Sequence, residues 1–153
     1  MTLLPPSKAC RVLILHNPKA GARDTHNDVK RLAELLVRQR FEVEVFTDLD
    51  LATRRANDLA GQGELRALVG VGGDGTAAEL VNRTQEGVAL ALYPAGNENL
   101  LARCFGLRAV PEQLAETIAG GTVIRLDAGK ANGRVFLLMA SCGLDAEVVQ
   151  TVH

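Results

Sequence analysis

Short apolar runs alternate along this chain with longer stretches in which apolar residues return every three or four positions. The first run, Arg11-Val-Leu-Ile-Leu-His16, is rich in branched residues and is stopped by Asn17-Pro18, which predicts a buried parallel strand. From about Asp24 to Arg40, Val29, Leu32, Leu36 and Val37 recur at helical spacing while Lys30, Arg31, Glu34 and Arg38 fill the opposite face, the pattern of an amphipathic helix. Phe41-Glu-Val-Glu-Val-Phe46 alternates strictly, so one face is wet and a strand near the sheet edge is expected. The cycle then repeats. Ala52, Ala56 and Leu59 share a helical face that ends at Gly61 and Gly63, and a third strand, Ala67 to Val71, runs into Gly72-Gly-Asp-Gly-Thr76. A short helix to about Asn82, a strand from Val88 to Tyr93, a turn and helix from Pro94 to Phe105, and a helix from Pro111 to Ala119 complete the series.

Alternation this regular implies right-handed crossovers and an α/β fold: a three-layer, doubly wound, mostly parallel sheet of Rossmann-like topology. The pattern changes after residue 121. Thr122 to Gly129 and Arg134 to Ser141 read as two strands joined by Lys130 to Gly133, where Asn132-Gly133 is a hairpin-turn signal. Such a C-terminal β-hairpin commonly hands the chain to a second lobe, yet the sequence stops at His153 in mid-pattern. The expected organisation is an N-terminal tail over residues 1–10 and one α/β domain over 11–153, cut before a second domain.

Composition narrows the function classes. With 153 residues, 47% of them hydrophobic, one core can be buried but not two. Lys and Arg number 17 against 18 Asp and Glu, so no global field collects nucleic acid or an anionic bilayer. Aromatics are 3% and Trp is absent, which weighs against base-stacking surfaces and so against a nucleic-acid partner. Cys10, Cys104 and Cys142 are too few and too scattered for a disulfide framework or a zinc-ligand pair, and they suit a reducing cytoplasm. Met1 to Ala9 lacks the apolar run of a signal peptide or membrane span.

In a doubly wound sheet, ligands settle at the carboxyl ends of the strands. Three loops at such ends carry chemistry. Asn17-Pro-Lys-Ala-Gly-Ala-Arg23 sets a flexible glycine beside two cations, where backbone N–H groups and positive charge can meet a phosphate; an ordinary strand-to-helix turn with solvated Lys19 and Arg23 fits equally. Gly72, Gly73 and Gly75 surround Asp74, so backbone can approach phosphate closely while Thr76 offers a hydroxyl. Glu79 shares a helical face with Thr76 and either orients a neighbour or is an acid favoured by the helix dipole. In Pro94-Ala-Gly-Asn-Glu-Asn99, the amides of Asn97 and Asn99 can donate and accept at once, as an adenine edge or ribose requires; Asn97 could equally be a helix N-cap.

Gly70, Gly72 and Gly75 also satisfy the G-x-G-x-x-G spacing of dinucleotide folds. They follow the third strand rather than the first, and Leu92-Tyr-Pro94 stands where a ribose-binding acid belongs. Asp74 inside the turn would repel a pyrophosphate, and makes better sense holding a metal-bound water or accepting a proton from an attacking hydroxyl. The lysine of a phosphate-binding P-loop is missing, which excludes that class. His16, His26 and His153 form no nucleophile-and-acid arrangement and read as bystanders.

Asn17 to Gly21, Gly72 to Thr76, Pro94 to Asn99 and Gly143-Leu-Asp-Ala146 occur in the order and approximate spacing of the diacylglycerol kinase catalytic domain, which this chain resembles over nearly its whole length. The second motif is shared with NAD kinases; the first and third select the branch of bacterial lipid kinases and sphingosine kinases. The resemblance implies an NAD kinase and diacylglycerol kinase-like fold continuing into a β-rich second lobe, and transfer of the γ-phosphate of ATP to a lipid hydroxyl. Asn17, Pro18, Lys19, Ala20, Gly21 and Thr47 would line the ATP site with Gly72, Gly73, Asp74, Gly75, Thr76, Glu79, Gly96, Asn97 and Asn99. Asp74 is the candidate catalytic residue, and Asp74 with Asp127 would attend Mg²⁺ through water. Two departures stand out: position 97 is Asn where the family usually has Thr, and position 100 is Leu where bacterial members often have Asp. The implied partners are ATP and a lipid with a free hydroxyl, met by a cytoplasmic protein in transient contact with a membrane surface, and a cut surface favours self-association. The alternatives are an NAD kinase relative and an ATP-binding fragment without turnover, the latter favoured for these residues alone.

Overall fold

The computed structural model describes residues 2–3, 9–16 and 24–138. Four parallel strands form the central sheet: β2 (Arg11–His16), β3 (Glu42–Phe46), β4 (Leu65–Gly72) and β5 (Leu90–Pro94), in the order β3-β2-β4-β5. The chain leaves β2 for one neighbour, β3, and then crosses to the other side for β4, so the strand order reverses between β2 and β4. Such a reversal opens a crevice at the carboxyl ends of the two strands. Helices α1 (His26–Arg38), α2 (Leu49–Gly61), α3 (Asp74–Arg83), α4 (Leu100–Cys104) and α5 (Pro111–Gly120) alternate with the strands or follow them.

Successive residues of β2 feed different layers, because side chains on a strand alternate between faces. Val12 and Ile14 join Val69, Val71 and Tyr93 beneath α1 and α5, in a core with Leu32, Leu36, Leu114 and Ile118. Leu13 and Leu15 join Leu68 beneath α2 and α3, in a second core with Ala52, Ala56, Leu59 and Leu80. All five apolar or near-apolar residues from Val12 to His16 are buried, as expected of a central parallel strand, whereas β3 at the edge keeps Val45 half exposed. The result is the expected three-layer, doubly wound α/β architecture. Helix ends follow local chemistry: the Asp48 carboxylate accepts the Leu51 amide (2.8 Å) at the start of α2, and Pro111 opens α5.

The C-terminal part differs from the sequence expectation. Within the run 122–129, Val123–Ile124 (β6) is a strand that pairs antiparallel with Thr2–Leu3 (β1), residues expected to lie in a tail, and Gly129 at its end opens the next strand. Residues 125–128 are irregular and exposed, because the alternating apolar positions Ile124 and Leu126 meet no sheet face. The hairpin is correspondingly short, Gly129–Ala131 (β7) against Arg134–Phe136 (β8). Its turn is the expected Asn132-Gly133, both at positive φ (48° and 81°), as a tight two-residue hairpin requires. Within the run 94–105 the turn extends to Asn99, which adopts the left-handed conformation (φ 51°, ψ 47°), and helix α4 follows from Leu100.

Candidate functional site

Strand register sets the site. His16 at the end of β2 lies beside Val71 of β4, and Gly72 at the end of β4 lies beside Pro94 of β5, so the three motif-bearing ends share one edge of the sheet. The first motif, Asn17, Pro18, Lys19, Ala20 and Gly21, lies outside the described residues, as does Gly143 to Ala146. The second and third motifs are in direct contact. The Ala95 amide donates to the Gly72 carbonyl (3.0 Å), and a Cβ on Gly96 would stand 2.7 Å from the Gly73 Cα. Two backbones therefore touch, with no room for a side chain at Gly96 and little at Gly73, where a Cβ would stand 3.2 Å from the Gly96 Cα.

Each glycine of the turn has its own cause. A Cβ at Gly70 would meet Leu80 of α3 at 2.5 Å, so this residue lets helix and strand pack closely. That accounts for its place in the dinucleotide-like spacing without a ligand. A Cβ at Gly72 would collide with the Thr76 side chain, which folds back over the turn. Gly75 differs: a Cβ there would find nothing within 4 Å. It is exposed, so the first turn of α3 presents bare backbone to solvent, as approach by a phosphate would need.

Asp74 begins α3, and its side chain reaches across to α4. Its two carboxylate oxygens accept the Leu100 amide (2.9 Å) and the Leu101 amide (3.0 Å). These are orphan donors at a helix N-terminus, which a nearby side chain normally satisfies. Here the acceptor comes from another element. Asn99, the residue before α4, is occupied elsewhere: its Oδ1 accepts the Gly96 amide (2.9 Å) and its Nδ2 donates to the Gly96 carbonyl (2.7 Å). Asn97 is exposed and is not the N-cap, because the left-handed turn at Asn99 moves the helix start two residues on. Asn99 thus serves the loop's own backbone, and Asn97 alone of the two presents its amide freely to the surface.

Glu79 points away from the glycine turn. It accepts from Arg83 Nε (2.9 Å) and Arg134 Nη2 (2.7 Å), and these guanidinium groups hold its carboxyl below the usual carboxylate range. Thr47 is exposed in the loop after β3, and Asp127 is exposed in the irregular segment after β6. Among the described residues no group of three or more His, Cys, Asp or Glu side chains is gathered to hold an ion. Magnesium does not require one, since it is commonly bound through one or two carboxylates, waters and substrate phosphates. Asp74 suits that mode: each oxygen accepts one N–H and keeps a second acceptor site.

His16 is buried at the carboxyl end of β2, where its Nε2 meets the Thr25 hydroxyl (2.9 Å). Burial, then the nearby His26, lowers its pKa below 6.5. Beside Asp74 opens a cleft of about 350 Å³ lined by Gly75, Ala77 and Ala78 of α3, Leu100 and Leu101 of α4, and Val135 to Leu138. Its lining is almost wholly apolar apart from the Asp74 carboxylate. Sequence reasoning missed this cleft, because its far wall comes from residues more than fifty positions away.

A doubly wound sheet with a glycine turn and a carboxylate at its reversal point places the candidate site where open α/β sheets bind their ligands. Residues 11–131 match the model of the diacylglycerol kinase catalytic domain, and the chain belongs to that family. It is 31% identical over 152 residues to the diacylglycerol kinase of Bacillus subtilis, covering 93% of this chain and 48% of that protein. A Pseudomonas aeruginosa protein named a probable lipid kinase, YegS-like, is 33% identical over 144 residues, covering 90% and 45%. The crystal structure of a diacylglycerol kinase from Bacillus anthracis superposes with a TM-score of 0.67 at 29% identity, over 86% of this chain and 47% of that one. The chain spans about half the length of the curated relatives it matches.

Proposed function

We propose that this chain is the nucleotide-binding part of an ATP-dependent lipid kinase that transfers the γ-phosphoryl group of ATP to a lipid hydroxyl. The observation that carries the reading is the position of Asp74, the one carboxylate lining an apolar cleft and next to the bare backbone of Gly75 in the same lining. A phosphate donor needs the bare backbone, and the glycerol or acyl part of a lipid suits the cleft. In the transfer, the bond from the γ-phosphorus to its bridging oxygen breaks and a bond to the lipid oxygen forms; ADP leaves and the hydroxyl loses its proton. Catalysis of this kind is mostly positioning and charge neutralisation. Gly72 to Thr76, with Gly96 and Asn97, would line the phosphates and nucleoside beside Asn17 to Gly21 and Thr47, while Asp74 orients the acceptor hydroxyl through its remaining lone pairs. Mg²⁺, when bound, would neutralise charge on the β- and γ-phosphate oxygens, with Asp74 and Asp127 holding its waters. Glu79, paired with two arginines, would act through α3 and not by touching ATP.

Calorimetric titration of ATP with Mg²⁺ into residues 1–153 tests the nucleotide half. Binding is expected, and Gly75→Val should weaken it about tenfold or more, since that side chain enters space only a ligand would contest. Nucleotide bound far from residue 74, or an unaffected Gly75→Val variant, removes the site. The acceptor half is tested on the full-length protein with diacylglycerol, sphingosine and NAD side by side; phosphorylation of NAD alone moves the protein to the NAD kinase branch.

A further inference from the structure

The cleft beside Asp74 has two walls from the α/β layers and a third, Val135 to Leu138, from the hairpin and the residues after it. One side chain ties that third wall to α3. Asn82 Oδ1 accepts the Val135 amide (2.8 Å), and Asn82 Nδ2 donates to the Val135 carbonyl (2.9 Å). Asn82 thereby takes the place a further strand would occupy beside β8, pairing with both polar backbone groups of one residue. Its amide is itself fixed, because Nδ2 also donates to the Ala78 carbonyl one turn back (2.8 Å). The orientation is unique: rotating the amide would set a donor against the Val135 N–H and an acceptor against its carbonyl. A second and more exposed tie joins Arg134 to Glu79 on the same helix (2.7 Å). Ala78 lines the cleft directly, so the helix turn that carries Asn82 also forms its floor.

Resting on the lipid-kinase reading above, we infer that Asn82 is a positioning residue for the acceptor: by gripping Val135 it sets the distance of the Val135 to Leu138 wall from Leu100 and Asp74, and so governs the fit of a diacylglycerol-like lipid without touching nucleotide. The measurement uses the full-length protein, dispersed dioctanoylglycerol as the lipid probe followed by methyl NMR shifts, and ATP with Mg²⁺ followed by calorimetry. Asn82→Ala should weaken dioctanoylglycerol binding about tenfold, the worth of a pair of part-buried hydrogen bonds from side chain to backbone, and leave ATP binding unchanged. Hydrogen exchange at the Val135 amide should accelerate in the same variant. Arg134→Ala, which loosens the hairpin from its wet side, should give a smaller loss with the same split and serves if Asn82→Ala does not fold. Equal losses for lipid and ATP, or lipid binding unchanged in both variants, would overturn the positioning role. If the full-length wild-type protein binds ATP but no dioctanoylglycerol, the acceptor assignment itself falls, and this inference falls with it.

Discussion

The two ends of the central sheet are built on different principles. At the amino end, polar groups are spent on one another: Arg11 lies within 3.0 to 3.4 Å of Glu42, Glu44 and Glu64, and Arg55 also reaches Glu44 (3.0 Å). Arg66 closes the end of α5 by donating to the carbonyls of Ile118 (2.8 Å) and Ala119 (2.7 Å) while lying over the Phe41 ring. At the carboxyl end, side chains are deleted rather than paired. Gly73 and Gly96 meet through bare backbone, Gly75 stands open, and the Asp74 side chain reaches across to the Leu100 and Leu101 amides. The amino end is closed by charges that can be exchanged at small cost, and the carboxyl end by contacts that tolerate no added atom.

That contrast should appear as a ladder of effects. Gly96→Ala places a methyl against the backbone of Gly73, which cannot yield as a side-chain tip would, and should cost about 2 to 3 kcal/mol in urea unfolding together with ATP binding. A wild-type midpoint in that variant would mean the loops are not in contact. Asp74→Ala leaves the Leu100 and Leu101 amides without their acceptor and should cost about 1 to 2 kcal/mol, with Asp74→Asn retaining part of it. Equal stability of all three proteins would show the cap to be idle.

Acid should also find the carboxyl end first. The pKa of His16 is lowered in the fold, chiefly by burial, so the folded state holds it neutral and the unfolded chain binds its proton more readily. Stability from this group is complete above about 6.5 and declines as pH falls through 6.5 toward the folded value. Replacing His16 with Gln should flatten that slope between pH 7 and 5, and an unchanged slope would assign it to other groups. Smallest of all, Arg11→Met should cost about 1 kcal/mol or less, because all its partners are partly solvated, and the difference should shrink in high salt. A larger loss would reverse the contrast between the two ends.

Much of the fold was legible because burial imposes a period. Val12 to Leu15 had to be strand in a sheet covered on both faces, and Leu32 and Leu36 had to face it. What escaped was whatever depends on backbone meeting backbone or on long range. Nothing local distinguishes Asn99 from Asn97, yet the left-handed turn gives the loop-closing bonds to Asn99. The run 122–129 has strand composition, but the partner of Val123–Ile124 is at the other end of the chain, and residues 125–128 have none among the described residues. Asp74 was conspicuous among glycines, while its amide partners, being backbone, carry no sequence signature. Asn82 had a faint one: an amide four residues after Ala78, on the side of α3 that the hairpin covers.

The bond from Asp74 to α4 also bears on how the molecule assembles. Five residues are too few to hold a helix by themselves, and this one borrows its first acceptor from a segment twenty-six positions earlier. Residues 96–104 should therefore become ordered only after β4 and α3 have docked, and should open with them as a single cooperative unit in native-state hydrogen exchange.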